Sequence, residues 1–60
     1  MDNIIVKFVI QHETSGKCEV VEYANCENKY HVTRLINIYK PKRRWHVVEI
    51  KVEFPQVRLV

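Results

Sequence analysis

Two stretches of two-residue alternation, separated by one stretch of helical periodicity, constrain this chain more than any other feature. In residues 4–11 the apolar side chains Ile4, Val6, Phe8 and Ile10 fall on one side and Ile5, Lys7, Val9 and Gln11 on the other, as in a strand with one core face. Residues 45–54 repeat the pattern, with His46, Val48, Ile50, Val52 and Phe54 in one phase and Trp45, Val47, Glu49, Lys51 and Glu53 in the other. The more apolar first set is expected to meet the helix.

Between them, the polar cluster from His12 to Lys17 holds the only glycine, Gly16, and reads as a hairpin loop. Residues 18–24 are rich in β-formers and return as a second strand. Asn25 offers an N-cap and Glu27 an acid for the first turn of a helix of roughly 12–14 residues. Val32, Leu35, Ile36 and Tyr39 then recur at i, i+3, i+4 and i+7, and Pro41 ends the helix. The expected fold class is α+β: one domain over residues 1–60, a small antiparallel sheet with one helix on one face, in the order β-β-α-β. Past Pro55 the tail still alternates, which makes residues 56–60 a candidate short fourth strand. Val57, Arg58 and Leu59 are then candidates for a dimer contact or for pairing along a sheet edge.

With 60 residues the chain sits near the size at which a single core outweighs chain entropy, so a homodimer or docking onto something larger is expected. At 47% apolar residues and a single glycine it does not have the composition of a disordered chain. The apolar run at residues 4–10 is short and broken by Lys7, which fits neither a signal peptide nor a membrane span. The expected location is therefore cytoplasmic, with Cys18 and Cys26 as free thiols.

Charge is distributed unevenly. Residues 28–48 hold six of the ten bases and none of the seven acids, so this segment carries +6 while the rest carries −3. The densest part is Lys40-Pro41-Lys42-Arg43-Arg44-Trp45, four cations and an indole between the helix and the last strand. Lys29, Tyr30 and Arg34 extend the basic character along the helix. Cations beside an aromatic suit phosphates and bases. They suit equally an acidic protein surface, where Trp, Tyr and Arg dominate binding energy. A solvated turn that complements the helix dipole is the plainer reading.

Other chemistry is weakly supported. Cys18, Cys26, His31 and His46 are zinc-ligand types, but no close Cys-x-x-Cys pair accompanies them, and no metal or cofactor is expected. Cys26 and His31, five residues apart, would lie about 140° apart around a helix axis and would not face each other. A thiol near a helix start can be reactive, yet no nucleophile, base and oxyanion donors are grouped in the sequence, so an enzyme is not expected.

The N-terminal hairpin, the Ala24-containing approach to one helix and the final alternating strand resemble the layout of small accessory proteins of tailed bacteriophages. Examples are the host RNA polymerase inhibitors of T7-like phages and the antitoxins of T4-like phages. The resemblance covers nearly the whole chain as an order of elements. The helix here is basic where such inhibitors often present acid. It implies a non-catalytic inhibitor or adaptor that blocks a larger host protein sterically. A nucleic-acid-binding module using residues 40–45 is the alternative, and a structural homodimer the second.

Overall fold

The computed structural model describes residues 3–55. They form β1 (Ile4–His12), β2 (Cys18–Cys26), α1 (Lys29–Ile38) and β3 (Trp45–Glu53), the expected β-β-α-β order. Val57, Arg58 and Leu59, with the rest of the candidate fourth strand, lie outside the described residues.

β1 is the central strand of the order β2-β1-β3 and pairs antiparallel with both neighbours. β2 and β3 therefore run in the same direction on opposite sides of β1, and α1 carries the chain from one edge to the other. A strand paired on both sides must bury one face under the helix, and its alternation does so. Val6 and Ile10 are 0% exposed and Phe8 1%, and with Ile4, Cys26 and Val32 they form the buried core. Each such side chain contributes about 1.5–3 kcal/mol.

The other two strands reach this core only by breaking step. β1 pairs Val9 with Glu49 but Ile10 with Val47, so Val48 is an extra residue, a β-bulge. A one-residue slip exchanges the faces of everything beyond it. Phe8 faces Ile50 and Val6 faces Val52 as the alternation predicts, but past the bulge Ile10 faces Val47 and His12 faces Trp45. This corrects the expected faces: Trp45 and Val47 pack against the core, while His46 is exposed. β2 makes the same adjustment between Tyr23, opposite Val6, and Cys26, opposite Ile4. The extra residue brings a buried thiol to the core in place of Asn25.

That adjustment also moves the helix start. β2 runs on to Cys26, and Asn28 rather than Asn25 is the N-cap, its Oδ1 accepting the His31 N–H at 2.9 Å. Glu27 precedes the cap, and the helix has 10 residues. Val32 is buried, with Leu35, Ile36 and Tyr39 half-buried against the core. The Tyr39 ring stacks on Phe8 with centroids 4.0 Å apart and meets Tyr23 edge-on at 6.0 Å. Burial there raises the Tyr39 phenol above its ordinary range.

The helix packs mainly along β2. Ile50, expected in the core, is consequently 40% exposed on the helix side of β3, and Phe54 is 56% exposed. On the opposite face of the sheet, Lys7 lies 2.6 Å from Glu53 and 3.8 Å from Glu22. The hydrogen bond and charge of Glu53 raise the Lys7 pKa, so what this pair contributes is present below the usual lysine range and lost as pH rises through the raised value. An exposed pair of this kind contributes little in any case.

The bulge makes a prediction opposite to that of unbroken alternation. Trp45→Ala should lower stability by about 2–3 kcal/mol, since it empties part of the core face. His46→Ala should change it by less than about 0.5 kcal/mol. Urea unfolding of the two variants checks this, and the reverse order would restore the unbroken register.

Candidate functional site

The basic turn is built by three local constraints. Pro41 ends the helix after Tyr39, whose backbone N–H still reaches the Leu35 carbonyl at 2.9 Å. The turn closes with the Trp45 N–H donating to the Lys42 carbonyl at 3.0 Å. Arg44 takes φ of +70°, a left-handed conformation that costs a side-chain-bearing residue about 1–2 kcal/mol. That conformation is secured from outside, because the Glu13 N–H donates to the Arg44 carbonyl at 2.9 Å.

Glu13 belongs to the hairpin loop, and His12 organises that loop. The His12 Nδ1 accepts the N–H groups of Thr14 at 3.3 Å and Ser15 at 3.2 Å, and lies 3.0 Å from the Thr14 hydroxyl. The His12 ring also meets Trp45 edge-on at 5.2 Å. The hairpin loop and the basic turn are thus one joined unit at one end of the sheet.

Within that unit the cations divide by role. The Lys42 ammonium lies 3.1 Å from a Glu19 carboxylate oxygen and 5.3 Å from the centre of the Trp45 ring. Glu19 sits opposite Ile10, on the helix side of β2, so Lys42 reaches across the end of the core. Lys42 is therefore engaged within the fold, and half-buried Trp45 packs against the core. Lys40, Arg43 and Arg44 are exposed, and no acid among the described residues pairs with them.

The remaining expected site residues are elsewhere. Lys29 begins the helix, about 15 Å of helix length away from the turn. Tyr30 and Arg34 stand one turn apart on the outward side, beside Thr33, Asn37 and Ile38 in a shallow groove. Ile38 is a further exposed member of this ridge that charge reading passed over. The roles of Glu13 and His12 were also not legible, since they act through a backbone N–H and a ring nitrogen. Glu19, by contrast, shares the strand phase of Val21 and Tyr23, which the alternation of β2 does reveal.

Cys18 is exposed and Cys26 buried, both as free thiols. Among the described residues no three His, Cys, Asp or Glu side chains come together as metal ligands. No helix among them is long and apolar enough to cross a membrane.

The fold and the turn define a small α+β domain with a basic projection at one end of its sheet. Comparison with protein-family models, with curated proteins and with solved structures returns no match to this chain.

The strain at Arg44 can be tested separately from any ligand. Arg44→Gly should stabilise the fold by about 0.5–1 kcal/mol, because glycine adopts positive φ without the steric cost. In a domain of this size that raises Tm by several degrees. A lower Tm would mean that the arginine side chain itself supports the fold.

Proposed function

We propose that this chain is a non-catalytic binding protein of the cytoplasm that presents Arg43 and Arg44, with Lys40 beside them, to an acidic surface of a larger protein and blocks that surface sterically. The observation that carries this reading is the condition of the arginine pair. Both are exposed and without an acidic partner among the described residues, yet their turn is closed and tied to the neighbouring loop. A preorganised cationic turn loses little conformational freedom on docking. Holding a strained backbone where glycine would relieve it is a feature associated with functional positions.

Protein is favoured over nucleic acid by the state of Trp45. A base-stacking platform needs an open aromatic face, whereas this indole is half-buried, has Lys42 over its ring and meets His12 edge-on. The layout resemblance to phage inhibitors of host factors supports an inhibitor rather than a scaffold.

Binding of poly-glutamate and of a single-stranded oligonucleotide, titrated across a salt series, tests the reading. The parent should bind poly-glutamate, and Arg43→Glu/Arg44→Glu, whose sites are exposed, should stay folded and bind it at least about tenfold more weakly. Tight binding of the oligonucleotide alone, with a logarithmic salt slope of about −0.7 per phosphate, would make the turn a nucleic-acid site. Unchanged binding of both ligands by the folded variant would remove the turn from consideration.

A further inference from the structure

β3 is an edge strand whose exposed residues are complementary to themselves. Among the described residues it pairs only with β1, leaving its other edge open. An open edge can take a further strand, and apolar side chains beside it raise that tendency. Here Ile50 remains 40% exposed on the helix side because α1 packs along the opposite edge strand, and Phe54, just past the end of β3, is 56% exposed.

The sequence of β3 then selects the occupant. Let a second copy of β3 run antiparallel to the first, about a two-fold axis through Ile50. Over residues 49–51, on the C-terminal side of the Val48 bulge, each residue then faces the one whose number sums with its own to 100: Ile50 faces Ile50, and Glu49 faces Lys51 in both directions. Both charged residues are exposed and share the face of the sheet opposite the helix, while Ile50 shares the helix side with Val52. Opposite charges directly across an antiparallel pair stabilise it, and a two-fold axis doubles the contribution. A register shifted by two residues in total, about an axis through Lys51 or Glu49, would set one of these charges against itself.

We propose that two copies of this chain associate through β3, in antiparallel register centred on Ile50, to form a continuous six-stranded sheet with both helices on the same side. The contact covers Ile50 and satisfies the open backbone edge. The two basic turns, each preceding Trp45, then sit at opposite ends of the joined strands, about 33 Å apart along them. This inference does not depend on what the turns bind.

The register gives a reciprocal test. Sedimentation at micromolar concentration should show the parent at twice the mass of the chain. E49K and K51E each place like charges across both pairs and should weaken association by about tenfold or more, with circular dichroism showing the fold intact. Mixing E49K and K51E in equal amounts should restore a dimer, since every facing pair is then of opposite sign, and the double variant E49K/K51E should dimerise alone. A monomeric parent, or a mixture of the single variants that stays monomeric while each remains folded, would overturn the proposal. Retention of the dimer by both single variants would place the interface on another surface and overturn it equally.

Discussion

The structure depends on burying one face of the central strand. Ile4, Val6, Phe8 and Ile10 make up most of the buried core, and every other element is placed by what it must do to reach them. β2 and β3 flank the strand, the helix covers it, and the stacked pair Phe8–Tyr39 fixes the end of the helix over its middle. Because the chain leaves the helix at Tyr39, that stack also determines where residues 40–44 begin. The basic turn is thus positioned by an aromatic contact in the core rather than by its own charges.

Both bulges follow from the same constraint. The strict alternation of β1 offers a core side chain every second residue, while β2 and β3 offer theirs out of step by one. A single extra residue in each restores the phase, at the cost of one irregularity in each ladder. In β3 the effect reaches the candidate site: by turning Trp45 inward the bulge gives the indole a structural role, and Lys42 follows it as a partner of Glu19 and the ring. What remains exposed for a ligand is narrower than the basic segment of the sequence, chiefly Lys40, Arg43 and Arg44.

The order of elements and the core face of β1 followed from periodicity, because that alternation is unbroken and long. The helix stripe was legible for the same reason, with Val32, Leu35, Ile36 and Tyr39 at ideal spacing. The faces of β3 were not, because adjacent Val47 and Val48 supply an apolar residue to either phase. The choice is made by Trp45 further along, which packs against the core and meets His12 edge-on, leaving His46 exposed. The N-cap was ambiguous for a similar reason, since Asn25 and Asn28 are chemically equal, and burial of Cys26 decides between them. At the basic turn, sequence located the cations but not their division of labour, which rests on a backbone hydrogen bond and on a carboxylate 23 residues away.

The core-anchored hairpin loop clamps the basic turn into one conformation. Amide hydrogen exchange resolved by residue tests it most directly, because the clamp is a single N–H. The Glu13 amide lies in a solvent-exposed loop, yet its bond to the Arg44 carbonyl should protect it to a degree approaching the ends of β1, together with the Trp45 amide that closes the turn. The Arg43 amide, which has no such bond among the described residues, should exchange at the rate of open chain. Exchange of Glu13 as fast as Arg43 would contradict the clamp, and with it the claim that the arginines are held in place for a partner.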